Sequence, residues 1–181
     1  MKTNMIAGFP VLAGLCMLGL VACNAGKEKE EALKEIAALE TKMHADSLRA
    51  PDRALIKELS QKYAGFAEHF SSDDKAPEFL YRAGEIASSL MNSGEAIAYF
   101  KEVCEKYPDH EKAPVCLFLQ GFVYETQLKD IQKAKGIYEE FLKKYPKHDL
   151  ADDVQATIQN LGKSDEELIR MFEEKNKPKV N

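Results

Sequence analysis

Two stretches of this chain repeat one another, and that recurrence constrains the fold more than any other feature. Ala76-Pro77, Leu80 and Gly84 return 37 residues later as Ala113-Pro114, Leu117 and Gly121. Ala96, Phe100, Val103, Tyr107-Pro108 and His110 return 38 residues later as Ala134, Tyr138, Phe141, Tyr145-Pro146 and His148. The one-residue difference falls in a turn between the two sets, where insertions are tolerated. Each unit reads as two helices and a stop. Proline is accepted in a first helical turn because its missing N–H has no partner there to lose. Leu117, Gly121 and Tyr124 then recur at helical spacing, and Gly121 leaves room for a second helix to approach. That second helix carries Ala134, Tyr138, Phe141 and Tyr145 on one face, and Pro146 ends it by disfavouring a helical Tyr145. A fixed period of this size marks a stacked helical repeat.

The unit resembles the tetratricopeptide repeat. Leu117, Gly121 and Tyr124 fill its bulky, small and aromatic slots, and Ala134, Tyr138 and Pro146 its alanine, second aromatic and closing proline. Leu117 stands where tryptophan is usual and Gln120 where leucine is usual, and the period is longer than the family's. The resemblance implies an all-α, tetratricopeptide-like solenoid of about four antiparallel helix pairs. It also implies a groove, lined by the first helix of each pair, that takes a protein or peptide partner. The groove positions are Glu78, Tyr81, Glu85 and Ser88 in one repeat, and Val115, Phe118, Phe122 and Glu125 in the next.

Val115, Phe118 and Phe122 form an apolar strip on a helix that also needs Leu117, Val123 and Tyr124 for its core. A helix apolar nearly all round is buried on both sides. Either a neighbouring first helix covers the strip or a partner peptide does, and Phe118 is expected to be the more packed of the two rings. If the strip is open, Glu78, Glu85 and Glu125 suit a peptide with a cation beside its apolar anchor.

The periodicity extends outward from the two clear units. From Glu30 a helix carries Leu33, Ile36, Leu39 and Met43 inward, and Ala50-Pro51 breaks it. Leu55, Ile56, Leu59, Tyr63, Phe66 and Phe70 mark one face of the next. Tyr63, Phe66 and Phe70 stand 75 residues before Tyr138, Phe141 and Tyr145, so a degenerate helix pair precedes the repeats. After Ala151 a helix runs to Leu161 and Gly162 closes it. Ser164 and Glu167 form a capping box for a last amphipathic helix through Leu168, Ile169 and Phe172. The helical domain therefore spans residues 30–175, with a disordered tail at 176–181. Strand signals are absent.

The N-terminus differs in kind. Lys2 is followed by an uncharged run, Met5 to Ala22, interrupted by Gly8, Pro10, Gly14 and Gly19. It ends in Leu20-Val21-Ala22-Cys23, which resembles the bacterial lipobox. That resemblance implies a signal peptide over 1–22, lipidation of Cys23, and a short lipidated tether over 23–29. Asn24, rather than aspartate, points to the outer membrane, facing the periplasm more than the cell surface. Lys27 to Glu31 reads as the solvated start of a helix before it reads as an export tract. A plain cleaved signal or an anchor helix are the alternatives.

The remaining residues are informative by what they do not form. Net charge is −5, which leaves no basic footprint for nucleic acid. His44, His69, His110 and His148 have no metal-ligand spacing, and no phosphate loop, nucleophile elbow or CxxC occurs. No cofactor, metal or catalytic residue is expected, nor an enzyme. Cys104 and Cys116 fall late in one repeat and early in the next, where they pair across the seam or pack as small apolar groups. The reading is an outer-membrane-anchored lipoprotein acting as a protein–protein interaction scaffold. The alternatives are a glycan-binding or hydrolytic protein using the groove and a self-associating structural repeat protein.

Overall fold

A computed structural model describes residues 15–45 and 52–175, with side-chain environments from residue 26 onward except at 165, 172 and 175. Among the described residues are eight helices and no strand. They are α1 (Leu15–Ala45), α2 (Arg53–His69), α3 (Ala76–Ser89), α4 (Ser93–Lys106), α5 (Lys112–Thr126), α6 (Ile131–Lys144), α7 (Ala151–Asn160) and α8 (Asp165–Lys175). Each helix from α1 to α6 packs on the next, and α3 also touches α5. The result is an all-α solenoid in which neighbouring pairs cover one another's apolar faces. The break expected at Ala50-Pro51, the tail at 176–181, residues 1–14 of the expected signal segment and the side chain of Cys23 lie outside the described residues.

The start of α1 differs from expectation. The helix read as beginning at Glu30 begins at Leu15 and runs unbroken to Ala45, so the stretch 24–29 read as a tether is itself helical. Lysine and glutamate are good helix formers, and the Lys29 ammonium is fixed by Asp73, 2.9 Å away in the α2–α3 link. No helix among the described residues is long and apolar enough to cross a membrane.

The three links that return the chain from a second helix to the next first helix share one construction. Phe70, Tyr107 and Tyr145 close α2, α4 and α6 by donating their N–H groups to Phe66, Val103 and Phe141. Three residues further on, Asp73, His110 and His148 each accept the N–H of the residue two places ahead, Lys75, Lys112 and Leu150, at 2.9, 3.2 and 3.1 Å. The recurring histidines are turn acceptors that satisfy backbone donors otherwise orphaned at a helix start. Gly162 has φ +76, the left-handed conformation expected after α7. Ser164 and Glu167 exchange side-chain and backbone bonds at 2.9 and 3.2 Å, the expected capping box.

Inside each repeat an aromatic ring lies on a glycine. A Cβ added to Gly84 would sit 2.5 Å from Cε1 of Phe100, and one added to Gly121 would sit 2.5 Å from Cε1 of Tyr138. Both rings are fully buried. The side of each first helix turned toward the preceding pair changes along the chain. On α3 it carries Phe79, Ala83 and Ile86, and on α5 Cys116, Leu119 and Val123. On α7 Val154 and Ile158 join the core of the α5–α6 pair, while Asp153, Ala156, Thr157 and Asn160 border a cleft against Glu125.

Two glycine substitutions should therefore differ in sign. Gly121→Ala forces the Tyr138 ring off its seat and should destabilise by about 1–3 kcal/mol. Gly136→Ala, in the exposed middle of α6 with nothing within 4 Å, should stabilise by up to about 1 kcal/mol. Urea midpoints of the two variants check this; a Gly121→Ala midpoint at or above wild type would show that the ring does not need the glycine.

Candidate functional site

The first helices of the two central repeats lie side by side and are tied at both ends. Lys112, at the start of α5, reaches Glu78 of α3 at 3.7 Å and sits 5.2 Å above the Tyr81 ring. At the other end the Gln127 amide donates to the Ser88 carbonyl and hydroxyl at 3.0 and 2.9 Å. Between these ties the 37-residue register places Glu85 level with Phe122.

The structure brings the expected groove residues onto this face but gives their carboxylates partners that the sequence did not reveal. Glu78 accepts from the Arg82 guanidinium at 2.8 Å as well as facing Lys112. Arg82 continues the chain of contacts, reaching Glu40 of α1 at 3.1 Å and the Tyr63 hydroxyl at 3.4 Å. Tyr63 in turn donates to Glu40 at 2.6 Å, and burial together with that carboxylate pushes its hydroxyl up to about 12. Glu85 accepts from Tyr81 at 2.6 Å, and Glu125 from Tyr138 of α6 at 2.7 Å. Burial, then the adjacent carboxylate, pushes both of these phenols upward, so each remains a neutral donor.

The apolar strip is covered at one end and open at the other. Val115 and Phe118 are half-buried, and Phe118 stacks on Tyr138 at 5.7 Å. Phe122 leans on Phe118 at 6.4 Å and is 42% exposed. Beyond it, Glu125 borders a cleft of about 540 Å³ with Asp153, Thr157, Asn160, Lys163 and Leu168. The contiguous set is therefore Phe122, Phe118, Tyr138 and Glu125 on α5 and α6, flanked by Tyr81 and Glu85 on α3.

Cys104 and Cys116 lie at the seam between α4 and α5 as free thiols. Gln120 comes between them, its Nε2 lying 3.4 Å from both the Cys104 sulfur and the Cys116 carbonyl. The polar residue standing where the family usually has leucine thus bridges the seam. Burial pushes the Cys104 thiol up to about 11 and the Cys116 thiol further still, which makes both poor nucleophiles. Among the described residues no group of three or more His, Cys, Asp or Glu could hold a metal ion.

Sequence reasoning overlooked Arg82, Lys112 and Gln127. Arg82 was legible as the i+4 partner of Glu78; the other two act across helices and carry no local signal. The two rings should separate stability from surface function. Phe118→Ala removes a ring stacked on the core and should cost about 2–4 kcal/mol, whereas Phe122→Ala should cost less than about 1 kcal/mol. Thermal melts of the single variants check the order, and its reversal would mean that Phe122 is the packed ring.

The tetratricopeptide repeat family matches the chain twice, over residues 78–110 and 115–148. No curated protein matches the sequence. Repeats of this family bind protein partners and are generally scaffolds rather than enzymes. The two matched segments fall on the pairs α3–α4 and α5–α6, so the centre of this chain is similar to a tandem of tetratricopeptide repeats and supports a protein–protein interaction scaffold.

Proposed function

We propose that this chain is a lipid-anchored adaptor of the bacterial outer membrane, facing the periplasm, that holds a protein partner against the face formed by α3 and α5. Phe122 is the observation that carries the partner half. It is an exposed aromatic ring on a helix otherwise packed at the centre of the stack, and it is backed by a ring that cannot recede because Tyr138 supports it. Rigid exposed aromatics of this kind give large contact area at little entropic cost and dominate binding at interfaces.

The anchor half rests on sequence. Leu20-Val21-Ala22-Cys23 offers small residues before a single thiol, and Asn24 follows it. One acyl chain binds a bilayer only marginally, so a diacylated cysteine would be needed to retain the protein at the membrane. The helical continuation of α1 through 24–29 would join such an anchor to the stack without an intervening loop.

Two measurements test the halves separately. Metabolic labelling with a radioactive fatty acid should mark the wild type and not Cys23→Ala; equal labelling of both, or of neither, sinks the anchor. A photoreactive phenylalanine analogue at position 122 should cross-link a discrete partner in intact cells, while the same analogue at Met91, more exposed at 66% but on the α3–α4 turn, should not. Identical products from both positions would remove the case for this face.

A further inference from the structure

We infer that the occupant of the α3–α5 face is a flexible segment of a partner protein in which lysine or arginine stands within about two residues of an aromatic or aliphatic anchor. This rests on the reading of Phe122 as a partner contact and adds the charge of what binds there. The three carboxylates of the face are not equivalent. Glu78 is compensated by Arg82 at 2.8 Å and Lys112 at 3.7 Å, so it has no charge left to offer. Among the described residues Glu85 and Glu125 accept only phenol hydroxyls, from Tyr81 at 2.6 Å and Tyr138 at 2.7 Å. Those phenols stay neutral because burial pushes them up. Lys163 borders the cleft at Glu125, but neither carboxylate forms an ion pair among the described residues.

The tyrosine bonds have an energetic consequence. An exposed ion pair is usually worth little, because two long side chains must be immobilised to make it. Here the acidic side is already held, so an incoming cation meets carboxylates whose ordering has been met by the fold. Both flank the same ring. Glu125 lies one helical turn beyond Phe122, and Glu85 lies level with it on α3. An apolar anchor seated on Phe122 would bring a neighbouring cation between the two.

The test selects binders from a displayed library of random short peptides on the full lipidated chain in detergent, then measures affinities by fluorescence anisotropy. Selected peptides should carry lysine or arginine beside an aromatic or aliphatic residue. The double variant Glu85→Gln with Glu125→Gln should bind them about tenfold more weakly, with a flatter salt dependence. Peptides that lose binding on Phe122→Ser but lack basic residues, or that ignore the double variant, would overturn the inference and leave the partner face standing. Peptides indifferent to Phe122→Ser would overturn both. The chain's own basic segment, Lys177-Pro178-Lys179, is a rival occupant. Deleting 176–181 should leave affinity unchanged, and a rise above about fivefold would show that this tail fills the site and overturn the assignment to a partner.

Discussion

The stack depends on one contact made twice, an aromatic ring pressed against a glycine. Phe100 on Gly84 and Tyr138 on Gly121 bring the two helices of each repeat so close that no side chain fits at the crossing. Everything lateral follows from that closeness. A pair drawn together at its glycine exposes a narrow, largely apolar flank, and the flank is buried only when the next pair covers it. The ring also has a second face. Tyr138 seats on Gly121 with one side, carries Phe118 on another, and sends its hydroxyl to Glu125. A single side chain thus couples the inner packing of the repeat to the chemistry of its surface.

That coupling sets the carboxylates on the face of α3 and α5 apart from one another. Of its three carboxylates, one belongs to an ion network running from Glu40 through Arg82 to Glu78 and Lys112. This network links α1, α3 and α5 and fixes the register of the first helices. The other two accept the hydroxyls of Tyr81 and Tyr138. Identical residue types are thus set in different states by what stands beside each, ion-paired in one place and held by neutral phenols in another.

Much of this was legible before any coordinates. The 37- and 38-residue recurrence locates the glycines, the rings and the closing prolines, because packing against a neighbour at a fixed period imposes the same residue at the same slot. Gly162 and the Ser164–Glu167 box were readable because a left-handed cap and a capping box are local devices. The Arg82–Glu40 and Lys112–Glu78 pairs were not, since partners 42 and 34 residues apart meet only after the helices have docked. His110 and His148 were recognisable as a repeat of position, but their role as backbone acceptors becomes clear only beside Asp73, which performs it with a different side chain. The early start of α1 escaped because a polar run without apolar spacing gives no periodic signal, and its stabilising contact, Lys29 to Asp73, is long-range.

The changing flank of the first helices makes cohesion uneven along the stack. Phe79 and Ile86 bind α3 to the pair before it, and Cys116, Leu119 and Val123 do the same for α5. On α7 Val154 is buried against the preceding pair with Ile158 half-buried beside it, while Asp153, Ala156, Thr157 and Asn160 border a water-accessible cleft. α8 packs on no other helix to a comparable degree and leaves Ile169 60% exposed. In a quasi-one-dimensional fold, stability is a sum of such neighbour terms, so among the described helices cohesion falls from α7 to α8. Opening there, in the low-free-energy excursions by which proteins unfold locally, would widen the region beside Glu125 while leaving the glycine-seated rings of the two central repeats in place.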